Sequence, residues 1–266
     1  MKSFQRKILV INDIGGPGGA EKILVQFSNV LLKEGFEPII ILGSSGSTHL
    51  TLEKQFSTIV APNSGLFYRI RNFFWTCFKI YKFEGNVVVL NSLFCQILYS
   101  PVCKVFRKKT IWYQHNIQVN LVRKIFMVVW RLLFVKHMIA VSNAVKKSYD
   151  LGFFKVKLLA DTVIHNGITP LMPKKHFETI SYTNEINEIS KNNQIIISVS
   201  RLTPYKGVDL LIEAFAEIEL TNARLLIVGD CGLSKKDLCY KKELINLTKS
   251  DPRVLMLGWR DDIAEL

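Results

Sequence analysis

Short apolar runs alternate with amphipathic helical stretches along nearly the whole of this chain, and that alternation leaves few folds open. The runs lie at residues 7–11, 38–42, 58–60, 87–90, 110–113, 137–141 and 158–164. They are apolar throughout rather than at every second residue, as expected of strands buried on both faces of a parallel sheet with helical crossovers between them. Residues 21–33 show the helical side of the pattern: Ile23, Leu24, Phe27, Val30 and Leu31 fall on one face. Gly35 follows as the residue that ends that helix. Ser142 is placed to cap a helix reaching about residue 150. The fold class is α/β.

The chain of 266 residues holds one large or two ordinary domains. From Pro170 the pattern breaks: Pro173, Lys174 and Lys175 lead into a polar run of Thr, Asn, Glu and Ser up to about residue 193. This divides the chain into a Rossmann-like domain at 1–168, a linker at 169–193 and a second Rossmann-like domain at 194–266. Asn166-Gly167 reads as a left-handed turn closing the strand at 158–164. The second domain has strands at 195–199, 224–228 and 254–257, with helices at about 207–218 and 235–250. Three strands fall short of the five or six of a doubly wound domain, so the second domain is expected to be incomplete.

The formal net charge is +13. The bases do not form one long run; they interleave with aromatics at 68–83 and 121–136. Neither stretch spans a bilayer, because Lys and Arg recur within each. Both suit an anionic membrane surface, with cations at the headgroups and rings at the acyl boundary. Both are equally compatible with helices packed on a core. Nucleic-acid binding is suggested by charge alone and is not expected. The five cysteines form no CxxC pair and are odd in number, which reads as a reduced, cytosolic chain. Met1 leads almost at once into the first strand, so no signal peptide is expected. No Cys or His spacing suits a metal, and there is no Asp-x-Asp to bridge one to a diphosphate.

Two segments carry chemistry. At 198–218 an apolar strand delivers Arg201 and Lys206 to its carboxyl end, and Gly207 then opens an amphipathic helix. Two cations beside a helix N-terminus suit an anionic group such as a diphosphate. A loop with two solvated cations has the same sequence. At 15–21 a glycine-rich turn, with Gly18 and Gly19 against the start of a helix, lets backbone approach a ligand closely. A tight turn without a ligand fits it equally.

Residues 199–215 resemble the donor-binding segment of the retaining group 1 glycosyltransferases (family four), which have the GT-B fold. The pattern is Arg-Leu, then Lys-Gly, then a helix Leu-Leu-Ile-Glu-Ala-Phe, with Ser200 where the family usually has Gly. Five further segments are similar to family elements: Gly18-Gly19-Ala20-Glu21, the strand end at 112–116 with His115, the segment 163–168 with Asn166, and the loops at 227–232 and 257–262. The resemblance implies two GT-B Rossmann-like domains, the second partial. It implies Arg201, Lys206 and His115 as catalytic residues. Gly18, Gly19, Asn166, Gly229, Gly232, Gly258 and Trp259 are then the donor-binding set, with no metal. It further implies a hexosyltransferase using a nucleotide-diphosphate sugar as donor substrate and no separate cofactor. The acceptor would be a saccharide, lipid-linked, of a surface polysaccharide, with the enzyme cytoplasmic and peripheral on the inner face of the membrane. The family's two glutamates separated by seven residues would lie past Leu266. The alternative is therefore a catalytically incomplete remnant that only binds nucleotide or membrane.

Overall fold

A computed structural model describes residues 7–13, 15, 19–46, 52–61, 67–149, 162–167, 189, 191–232, 234–260 and 262–263. They fall into two compact units, Met1–Ile168 and Thr169–Leu266.

The first unit is a parallel sheet of β1 (Lys7–Asn12), β2 (Glu37–Leu42), β3 (Ser57–Val60), β4 (Val87–Leu90), β5 (Lys109–Gln114), β6 (His137–Ala140) and β7 (Thr162–Val163), ordered β3-β2-β1-β4-β5-β6-β7. Its helices are α1 (Gly19–Lys33), α2 (Tyr68–Lys82), α3 (Leu93–Val105), α4 (Leu121–Phe134) and α5 (Asn143–Ser148). The pleat sorts the apolar strand residues onto two faces. Ile8, Val10, Ile40 and Leu42 pack with Leu24 of α1. Leu9, Ile11, Val88 and Trp112 pack on the other face with α2, α3 and α4, through Ile80, Tyr99 and Met127. Each such side chain, fully buried, contributes on the order of 2 kcal/mol.

Helix α3 is not foreseen from the sequence, because Pro101 lies inside it. Proline has no N–H to give the carbonyl four residues back. That carbonyl, of Ile97, instead accepts from Trp130 Nε1 at 3.1 Å, so the defect ties α3 to α4. Ser92 Oγ caps the start of α3 by accepting from Cys95 N at 3.3 Å. Ser142 Oγ caps α5 in the same way, accepting from Val145 N at 3.2 Å. Gly35 ends α1 with a left-handed φ of 78°.

Two expectations are corrected in this unit. Helix α1 begins at Gly19, not at residue 21. Asn166 and Gly167 are not a left-handed pair, since neither has positive φ. The chain runs on past β7 as irregular backbone, with both residues on the wall of a cavity instead of in a tight turn. Residues 158–161 of the expected strand, and nearly all of the expected linker at 169–193, lie outside the described residues.

The second unit holds three parallel strands, β8 (Gln194–Val199), β9 (Ala223–Val228) and β10 (Val254–Gly258), ordered β10-β9-β8. Helices α6 (Val208–Ala216) and α7 (Lys235–Thr248) pack with these strands among the described residues. Its core gathers Leu202, Ile212, Phe215, Leu225, Ile227 and Leu244. Strand β8 is read from the sequence as an apolar strand. Among the described residues it is the edge of its sheet, and Ile196, Ile197 and Val199 are exposed.

All five cysteines are free thiols. Cys95 and Cys103 are buried in α3. Burial pushes the Cys103 thiol up to about 12 and the Cys95 thiol higher still. Cys239, on α7, is exposed.

Candidate functional site

In the first unit the strand order reverses at β1, which has β2 on one side and β4 on the other. Ligands of open parallel sheets bind outside the carboxyl ends at such a switch point. Three polar residues stand there: Asn12 ends β1, Asn91 follows β4 and His115 follows β5. Asn91 Nδ2 donates to Asn12 Oδ1 at 3.1 Å, and Asn91 Oδ1 lies 2.9 Å from His115 Nε2. The imidazole packs on Tyr113, ring centroids 4.6 Å apart. Burial lowers the His115 pKa to about 4, so the ring is neutral at physiological pH.

Beneath this row lies a buried amide network. Gln96 Nε2 donates to the carbonyls of Leu90 and Tyr113, both at 3.1 Å, and Gln96 Oε1 accepts from Gln114 Nε2 at 2.5 Å. It joins the ends of β4 and β5, which fixes the spacing of Asn91 and His115.

A cavity of about 490 Å³ opens beside His115, lined in part by Gly19, Lys22, Gln26, His115, Asn166 and Gly167. A Cβ on Gly19 would meet nothing within 4 Å, so this backbone faces open space. The structure thus brings together three of the predicted residues, Gly19, His115 and Asn166. Gly18 lies outside the described residues. Lys22 and Gln26 were missed, yet they follow Gly19 at i+3 and i+7, the spacing of one helix face.

In the second unit three loops leave the carboxyl ends of the strands: Ser200–Lys206 after β8, Gly229–Gly232 after β9 and Gly258–Arg260 around the end of β10. Backbone bonds tie them together, Leu202 N to Asp230 O at 3.0 Å and Gly229 N to Gly258 O at 2.7 Å. Arg201 and Lys206 are exposed on the first loop. Residues Pro204–Lys206 make one 3₁₀ turn, and Gly207 then takes a left-handed φ of 65°. The helix therefore starts at Val208, one residue later than expected, because Gly207 makes the turn into it. Lys206 Nζ lies 5.9 Å from the centre of the Tyr205 ring.

The remaining predicted residues of this unit differ in what their position requires. Gly229 has φ 140°, and a Cβ there would meet the Ser200 carbonyl oxygen at 1.9 Å. What passes close to it is the chain's own backbone. A Cβ on Gly232 would meet the Asp237 carboxylate at 2.8 Å. Gly258, with φ 68°, has open space beside it, and Trp259 is exposed. Asp230 accepts from Lys241 Nζ at 2.7 Å, and this bond holds its carboxyl below the usual range. Arg260 pairs with Asp262.

These two parallel-sheet units, with polar loops at their carboxyl strand ends, have the α/β architecture of GT-B glycosyltransferases. Residues 182–266 match the model of the family "Glycosyl transferases group 1". No curated protein matches the chain. Among solved structures it is similar to HepE from Anabaena in complex with UDP and glucose, at 22% identity and a TM-score of 0.80, covering 98% of this chain and 71% of that one. HepE in complex with UDP-glucose matches at 24% identity and a TM-score of 0.80, covering 97% of this chain and 70% of that one. A glycosyltransferase from Rickettsia africae matches at 22% identity and a TM-score of 0.69, with 98% and 70% covered. No described helix is long and apolar enough to cross a membrane.

Proposed function

We propose that this protein transfers a sugar, with retention, from a nucleotide-diphosphate donor to a lipid-linked saccharide of a surface polysaccharide. The observation that carries the reading is the pair Arg201 and Lys206, exposed between the carboxyl end of β8 and the start of α6, inside the segment that matches the family. Negative charge grows on the departing diphosphate as the glycosidic bond breaks. The two cations beside the start of α6 oppose that charge, an interaction stronger in the transition state than in the ground state. In this reading Arg201 and Lys206 neutralise that charge without a bridging metal. Gly258 and Trp259 supply open backbone and an exposed ring for the base. UDP is the nucleotide favoured, since HepE, similar in fold, is seen with UDP and with UDP-glucose.

A lipid-linked acceptor is supported by the distribution of charge. Residues 54–149 hold fifteen Lys and Arg against one acidic residue, Glu84. Helices α2, α3 and α4 contain no Asp or Glu, and they lie on one side of the sheet. Their outer surface exposes Phe74, Phe78, Phe94, Val122 and Leu132. Rings among cations without anions complement an anionic lipid surface.

The test is calorimetric titration with UDP, followed by transfer from a panel of UDP- and GDP-sugars to a membrane extract. Saturable UDP binding with transfer of one sugar is expected. Absence of nucleotide binding would leave the loop as a solvated turn.

A further inference from the structure

Asn12 and Asn91 are only 1% and 2% exposed, so their amides meet each other and the site instead of water. An unpaired amide at such depth costs a few kcal/mol, so each polar end needs a partner. Their backbones are pinned across the sheet: Asn91 N donates to Ile11 O at 3.0 Å, and Gly43 N donates to Asn12 O at 2.9 Å. With Asn91 Nδ2 given to Asn12 Oδ1, the atom that Asn91 turns toward His115 Nε2 is its carbonyl oxygen. A carbonyl oxygen only accepts, so Nε2 carries the hydrogen. A neutral imidazole has one such hydrogen, which leaves Nδ1 with its lone pair.

We propose that Asn91, oriented by Asn12, is a positioning residue that holds His115 as the Nε2–H tautomer and leaves Nδ1 as a bare hydrogen-bond acceptor. A bare Nδ1 accepts from a hydroxyl and repels a carbonyl or phosphate oxygen. This deepens the reading of His115 as a catalytic residue, making it a contact to a sugar hydroxyl, and rests on that reading only for this consequence. The tautomer itself follows from the two asparagines. Lys22, on the wall of the same cavity, is a charged side chain that shares it with His115.

Nitrogen-15 NMR of the histidines in the full chain tests the tautomer, with His115→Ala assigning the resonance. The wild type should show a protonated Nε2 and an unprotonated Nδ1 at pH 7. Asn91→Leu should give a mixture of both tautomers. Asn91→Asp keeps the size and places a carboxylate against Nε2, so the His115 titration midpoint should rise by more than one unit. A protonated Nδ1 in the wild type would overturn the proposal. So would an unchanged tautomer in Asn91→Leu, or, if that variant does not fold, an unmoved midpoint in Asn91→Asp. Sugar transfer separates the two ideas. If transfer survives His115→Ala while the tautomer behaves as described, the sugar contact falls and the positioning role stands. If His115→Ala abolishes transfer while Asn91→Leu keeps a single Nε2–H tautomer, the contact stands and the positioning role falls.

Discussion

The Ser200 carbonyl occupies the place where a side chain on Gly229 would begin, 1.9 Å from the position of its Cβ. Gly229 also holds φ at 140°, a region that residues with a Cβ rarely enter. The two residues sit at the ends of adjacent strands, so nothing but glycine lets the β8 and β9 loops close on each other.

Gly229→Ala should therefore part the loops that carry Arg201 and Asp230. The expected cost is roughly 2–4 kcal/mol for the second unit, from strain and lost backbone bonds together. Denaturant unfolding followed at Trp259, with calorimetric UDP titration, should show lower stability and weaker binding. An unchanged midpoint would mean that the loops accommodate a methyl group.

Arg201→Ala and Lys206→Ala should each lower turnover on the order of a hundredfold, roughly 3 kcal/mol, with little change in acceptor KM. The double variant should lose less than the sum, since both cations serve one charge. Arg201→Lys should recover only part of the activity, because it lacks the planar fork for bidentate phosphate contact. Near-normal turnover in both alanine variants would remove the diphosphate assignment.

His115 gives the first unit a defined pH dependence. Its pKa is about 4 in the fold against an ordinary 6.5, so between those values the unfolded chain binds more protons. Stability from this group is full above pH 6.5 and falls as pH drops toward 4, by on the order of 3 kcal/mol. Urea unfolding of the wild type and of His115→Gln across pH 4–7.5 isolates the effect. The variant should be flatter over that window, and parallel curves would place the imidazole in water.

Gln96 is wholly buried and completes bonds to two strand carbonyls and to Gln114. Gln96→Leu should cost roughly 2–4 kcal/mol, because three polar partners lose their mate in a dry core. Equilibrium unfolding of the first unit gives the value. A loss below about 0.5 kcal/mol would mean that water replaces the amide.

Vesicles with anionic headgroups should bind the protein at low salt and release it as salt rises, since screening shortens the reach of Lys and Arg. Charge reversal at Arg69, Arg71, Arg123 and Lys124 should weaken binding in a sedimentation assay. Binding that is blind to both changes would leave α2 and α4 without a role at a charged surface.

Much of this architecture is legible wherever one pattern dominates locally. The apolar run of β1 and the single apolar face of α1 each specify their element, and the cations at 201 and 206 stand out after a strand. The parts that escape reading depend on contacts distant in sequence. Helix α3 carries a proline whose missing bond is made good by Trp130, which lies 29 residues further along the chain. Strand β8 is as apolar as β1, and composition does not distinguish a central strand from an edge. Asn12 and Asn91 are single asparagines at strand ends, indistinguishable from turn residues until the sheet order sets them side by side. Gly229 stood out as a glycine, but only the course of Ser200 explains the need for it.

The placement of the cysteines gives the first unit a built-in clock and the second unit its reference. A thiol reagent at mildly alkaline pH meets Cys239 at once on the surface of α7. It reaches Cys95 and Cys103 only when α3 lifts from the sheet, because burial disfavours their thiolates and blocks access. Timed alkylation read peptide by peptide in a mass spectrometer would then follow the opening of the first unit without any introduced probe. The second unit's prompt label serves as the internal reference for reagent activity. Added UDP should leave the slow α3 clock untouched if nucleotide stabilises only the second unit, and should slow it if ligand binding also tightens the first.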